Sequence, residues 1–137
     1  MTEKPHKTMN KKTTYQAVLD LDLSYIIDQM CSSEYPLPQW QKKDATVCEL
    51  LYKRFLWLLI QYPDTSLVPT KEIDEFWHNH ILHTQCYVND CYQLAGRYLH
   101  HHPLDLKNFD QQTLLNNFQQ TQSLYLKEFS EPLKVFI

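Results

Sequence analysis

Pro69-Thr70-Lys71-Glu72-Ile73-Asp74-Glu75-Phe76-Trp77-His78-Asn79-His80-Ile81-Leu82-His83-Thr84 is the stretch on which the reading of this chain turns. Thr70 stands where an N-cap belongs, with a hydroxyl able to accept from an orphaned backbone N–H just downstream. Glu72 and Asp74 follow in the first turn, where carboxylates favour the positive end of a helix dipole. Ile73, Trp77, Ile81, Thr84, Val88 and Cys91 then recur at helical spacing and define one core-facing arc. The pattern predicts a helix from Thr70 to about Ala95 or Gly96, with Gly96 near its end.

The rest of the chain agrees with helices. There is a single glycine among 137 residues, so tight hairpins and Gly-rich phosphate loops lack the residue that tolerates positive φ. The same ground argues against a nucleotide-binding loop or dinucleotide fold. Upstream, Leu23, Ile26, Ile27 and Met30 have helical spacing within a segment read as helix from about Thr14 to Cys31. Pro36 and Pro38 interrupt the chain. From about Gln39 to Gln61, Val47, Cys48, Leu50, Leu51, Phe55, Leu58 and Leu59 form a broad apolar stripe, the expected central helix, with Trp57 on its flank. Tyr62 to Pro69 is a linker. A last helix starts near Asp110, presents Leu114, Phe118, Tyr125 and Phe129 on one face, and stops at Pro132. The expectation is an all-α fold, one small helical bundle of four or five helices over residues 14–137, preceded by a flexible tail, residues 1–13. The helix from Thr70 should pack against residues 42–61.

Hydrophobic residues make up 43% of the chain and aromatic ones 13%, enough to fill the core of a domain this size. The net charge of −3 is too mild to imply a nucleic-acid partner. Lys4, Lys7, Lys11 and Lys12 only make the N-terminal stretch locally basic. The longest apolar run, Phe55 to Ile60, is far too short to span a bilayer, so no membrane partner is expected. No secretory pattern is visible at the N-terminus. Cys31, Cys48, Cys86 and Cys91 form no CxxC pair and read as reduced thiols in a cytoplasmic setting.

The chemistry concentrates in residues 69–103, where His78, His80, His83, His100, His101 and His102 account for six of the seven histidines. On an unbroken helix His78 and His80 lie about 160° apart, so one metal ion cannot take both. Asp74 and His78, four residues apart, share an edge. His80 pairs instead with His83 or Tyr87. Two function classes follow. In the first, a binding module, Trp77, His78, His80, Tyr87 and Cys91 form a pocket for a small molecule or peptide. In the second, a metal protein or metal-dependent enzyme, Asp74, His78 and His101 or a neighbour in the triplet surround a divalent ion. Zinc or iron suits such donors and keeps an open position for water or substrate. Plainer readings stand beside both: Asp74–His78 as a surface pair, and His80 as a satisfied core histidine. The HExxH arrangement and a nucleophile elbow are both missing. Cys91 on a core-facing arc is a poor nucleophile. No catalytic residue is therefore assigned, and whether the chain is an enzyme stays open.

Asp74-x-x-Trp77-His78-x-His80, followed by Tyr87 and Cys91, resembles the signature of the glycine-rich domain-containing protein-like family. Gly96 and the His100-His101-x-Pro103 sequence are similar to the bacterial branch. At Phe129-Ser130-Glu131-Pro132 the chain has serine where the resemblance leads one to expect glycine. The resemblance implies a small helical domain and a shared motif at Asp74, Trp77, His78, His80, Tyr87 and Cys91, and it strengthens the case for a role of His78 and His80. It implies no particular reaction. With one glycine, the chain lacks the glycine-rich region of longer members.

Overall fold

A computed structural model describes residues 11–36, 38–102, 107 and 110–136, with the backbone alone for 11–14. Among these residues it is entirely helical: α1 Lys11–Leu19, α2 Ser24–Met30, α3 Lys42–Gln61, α4 Lys71–Leu82, α5 Thr84–Ala95 and α6 Gln111–Phe129. Six helices replace the expected four or five because two long segments are each broken once. Residues 1–10 and Pro103 lie outside the described residues, and α1 already begins within the expected tail at Lys11. No helix among the described residues is long and apolar enough to cross a membrane.

The first break separates α1 from α2. The Asp22 carboxylate accepts the Ser24 backbone N–H at 3.0 Å and its hydroxyl at 2.6 Å, a local capping arrangement that competes with helix continuation. Those bonds hold the Asp22 carboxyl below its ordinary pKa. The ammonium of Lys53, from α3, donates to the Leu19 carbonyl at 2.8 Å and the Leu21 carbonyl at 2.7 Å. Acceptors that the break leaves open thus find a donor within the protein.

The second break falls at His83, inside the expected histidine helix. His83 has φ −86° and ψ 74°. Its N–H turns to the His80 carbonyl at 3.1 Å, its Nδ1 lies 2.8 Å from the Asn79 carbonyl, and its ring meets Tyr25 edge-on at 4.9 Å. This resets the phase of everything downstream. Thr84 and Val88, expected in the core, are exposed, whereas Tyr87, Cys91 and Leu94 are buried.

At the centre lies α3, in contact with α1, α2, α4 and α6. Cys48, Leu51, Tyr52, Phe55, Leu56, Trp57 and Leu58 are buried along it. Val47 and Leu50 of the expected stripe lie at its edge, 37% and 38% exposed. Phe76 of α4 is fully buried and packs on Tyr52 at 5.1 Å, burial that contributes about 2–3 kcal/mol for such a ring. Trp57 is buried rather than flanking, edge-on to Tyr15 and Phe129. Arg54 fastens α6, with its guanidinium 2.9 Å from the Tyr125 hydroxyl, 2.6 Å from Glu131 and 4.8 Å from the Phe129 ring centre.

Candidate functional site

The Thr70 hydroxyl accepts the Ile73 N–H at 3.1 Å, so the N-cap read from sequence fixes the phase of α4. Asp74 and His78 then stack one turn apart on its exposed edge. At the far end of α5, Gly96 adopts φ 70° with open space around it and turns the chain back past α4. Along the returning segment Leu99 is buried, His100 exposed, His101 half-buried and His102 exposed. That alternation brings His101, and not its neighbours, against Asp74 and His78.

The three donors converge closely. His101 Nε2 lies 2.6 Å from Asp74 Oδ1, His78 Nε2 lies 3.4 Å from Asp74 Oδ2, and the two Nε2 atoms are 3.1 Å apart. A hydrogen on His101 Nε2 directed at Asp74 Oδ1 leaves the His78 nitrogen only its longer 3.4 Å approach to Asp74 Oδ2 and the solvent. The three side chains could together hold a cation. Donors about 2.1 Å from one ion are separated by about 3.0 Å at right angles and about 3.4 Å in a tetrahedron. The 3.1 Å between the two imidazole nitrogens falls in that range, while the 2.6 Å from His101 to Asp74 Oδ1 is a hydrogen-bond length that would have to open slightly around an ion. Side-chain exposure is 53% for His78, 36% for Asp74 and 17% for His101, so the open side of this group faces outward.

Two hollows flank the group. Asp74, Trp77 and His101 stand on the wall of a cleft of about 860 Å³, which also holds Lys71 and Arg97 above an apolar lining that includes Leu59 and Leu114. His78 borders a smaller hollow of about 550 Å³ with Tyr35, Glu75 and Asn79. Glu75, which the sequence offers only as a first-turn charge, accepts the Tyr35 hydroxyl at 2.5 Å and the Trp40 indole N–H at 2.8 Å. No local signal foretold these partners, 40 and 35 residues away.

The expected pocket set divides. Trp77 borders the cleft, and its ring centre is 4.3 Å from that of His101. His78 belongs to the donor triangle. His80, Tyr87 and Cys91 lie behind Trp77 and line neither hollow, because the break at His83 folds α5 over this face of α4. His80 is 1% exposed, with Nδ1 2.6 Å from the Tyr52 hydroxyl and Nε2 2.8 Å from Asp90. A neutral ring with its hydrogen on Nε2 satisfies all three groups. Asp90 of α5 turns inward to reach His80, a placement that follows from the break at His83. Burial raises the Tyr52 hydroxyl well above its ordinary pKa, which keeps it a donor. Tyr87 is 1% exposed, accepts the Trp77 indole N–H at 2.9 Å and donates to the Leu99 carbonyl at 2.5 Å. Cys91 is 2% exposed, and burial raises its thiol pKa, the opposite of what an attacking thiolate needs.

The chain is 33% identical over 82 residues to glycine-rich domain-containing protein 1 of Arabidopsis thaliana, a match covering 57% of this chain and 10% of that protein. Glycine-rich domain-containing protein 2 of the same plant gives the same identity and coverage. The chain thus spans about a tenth of the length of these relatives. No solved structure matches it. The model of the UCP032817-like family matches residues 13–124, most of the chain, and the protein belongs to that family.

Proposed function

We propose that this domain is a metal-dependent binding module, in which Asp74, His78 and His101 hold one divalent ion at the mouth of the large cleft and a small ligand or peptide completes the shell. The observation that carries the reading is the convergence of these three donor side chains, whose closest approaches to one another are 2.6, 3.1 and 3.4 Å. Two imidazoles and one carboxylate suit zinc or iron(II). Lys71 and Arg97 line the same cleft and make no ion pair among the described residues, which favours an anionic ligand group. Trp77 provides an aromatic wall beside the ion. Four free cysteines fit a reducing, cytoplasmic setting.

The test is metal analysis of protein purified without a histidine tag, together with zinc titration of the wild type, His78→Ala and His80→Ala. One ion per chain is expected, bound at least tenfold more weakly by His78→Ala and with near-wild-type affinity by folded His80→Ala. Sub-stoichiometric metal, or equal retention in His78→Ala, overturns the reading. A second reading, a metal-dependent enzyme, is favoured by the outward-facing side of the triangle. Positions left to water or oxygen there would allow hydrolysis or oxygen chemistry. Steady turnover by the metal-loaded protein, lost on chelation, distinguishes this from binding alone.

A further inference from the structure

We infer that Tyr87 is a positioning residue for this centre: its hydroxyl, held between the Trp77 indole and the Leu99 carbonyl, fixes the returning segment so that His101 meets Asp74 and His78. The inference rests on the metal reading of the triangle. Asp74 and His78 are placed by a capped helix, but His101 belongs to a segment with no helix of its own, five residues beyond Gly96. A donor on such a segment must be ordered before it can bind, and that ordering weakens affinity.

Two contacts supply the order in advance. Tyr87 donates to the carbonyl of Leu99, two residues before His101, and so anchors the backbone. Trp77, whose N–H is taken by the same hydroxyl, lies with its ring against the His101 imidazole and so sets the tilt of the donor. The hydroxyl is buried with both partners satisfied, one as donor and one as acceptor. Leu99 is itself only 3% exposed, which pins the segment from the other side. Tyr87 touches neither the donors nor the cleft. Its ring also packs on His80 and Tyr98, contacts that phenylalanine keeps. The hydroxyl reaches the donors only through Trp77 and Leu99, and this makes its effect separable from a general contribution to folding.

The experiment measures zinc affinity by competition titration for the wild type, Tyr87→Phe, His101→Ala and the double variant. Tyr125→Phe is the control, a buried tyrosine whose hydroxyl meets Arg54 instead. Tyr87→Phe should bind zinc about tenfold more weakly, within the range that outer partners of metal ligands carry, while Tyr125→Phe keeps wild-type affinity. With His101 already removed, Tyr87→Phe should change the residual affinity less than twofold, because its effect runs through that ligand. The cobalt-loaded Tyr87→Phe protein should also show an altered visible spectrum. Zinc binding by the wild type with an unchanged Tyr87→Phe overturns the inference and leaves the metal reading standing. An equal loss in the presence and absence of His101 also overturns it. Absence of zinc binding in the wild type removes both. If Tyr87→Phe does not fold, Trp77→Phe removes the indole donor, and the same coupling with His101 is expected.

Discussion

His78 and His80 stand two positions apart and live in different chemistries. The helical wheel foresaw their separation, because it follows from local geometry alone. It did not foresee Tyr52 and Asp90, since those partners depend on how α3 and α5 pack. His80→Ala should therefore destabilise the fold by about 3 kcal/mol, leaving the buried Tyr52 hydroxyl and the partly exposed Asp90 carboxylate without their shared partner. His78→Ala should change stability by less than about 0.5 kcal/mol in metal-free protein, as expected of an exposed position. Urea denaturation of both in chelator measures the contrast. Ser130 makes a second case. It ends α6 at φ 59°, the one non-glycine residue at positive φ among those described, where a side chain is strained and glycine is the usual occupant. Ser130→Gly should raise stability by about 0.5–1 kcal/mol, after the greater freedom of glycine in the unfolded chain is deducted. An unchanged or lower denaturation midpoint would contradict this.

At the scale of elements, what the sequence disclosed depended on where the signal lay. The starts of α4 and α6 were legible, because Thr70 and Asp110 mark their own caps. The break at His83 was not, since neither glycine nor proline announces it and its cause lies in Asn79, His80 and the Tyr25 ring. Every misplaced residue on α5 follows from that one omission. The cap of α6 also titrates. Asp110 accepts the Gln112 N–H at 3.1 Å and the Thr113 hydroxyl at 2.6 Å, and these bonds lower its pKa below the ordinary 3.8. A depressed carboxyl contributes stability above its unfolded pKa and loses it as pH falls through the folded value. The melting temperature of the wild type should decline below about pH 4. Asp110→Asn, which keeps a capping oxygen but cannot titrate, should show a shallower acid limb. Thr121 joins α6 to the linker before α4. Its buried hydroxyl accepts the Val68 N–H at 2.8 Å and donates to the Asn117 carbonyl at 3.1 Å. Thr121→Val should cost about 1–3 kcal/mol by stranding the Val68 N–H, readable by thermal denaturation.

For the molecule as a whole, the metal reading makes a prediction about stability. An ion held by α4 and by the segment after α5 joins two parts of the chain, so zinc should protect the folded state by mass action. Free zinc at a hundredfold above its Kd would add about 2.7 kcal/mol, a rise in melting temperature of roughly 8 °C. The rise should vanish with chelator and in His101→Ala. Reductant alone should change nothing, because all four cysteines are free. The ammonium of Lys53 has a separate consequence. Its side chain is only 9% exposed, and it holds the two carbonyls where the chain leaves α1. An amine-acylating reagent can reach it only when that corner swings open, so Lys53 should react last of the lysines, at a pace set by the opening and not by the reagent. Each acylation would then be one-way. A modified Lys53 cannot return to Leu19 and Leu21, and a slow labelling time course becomes a clock for how often the N-terminal helix lets go.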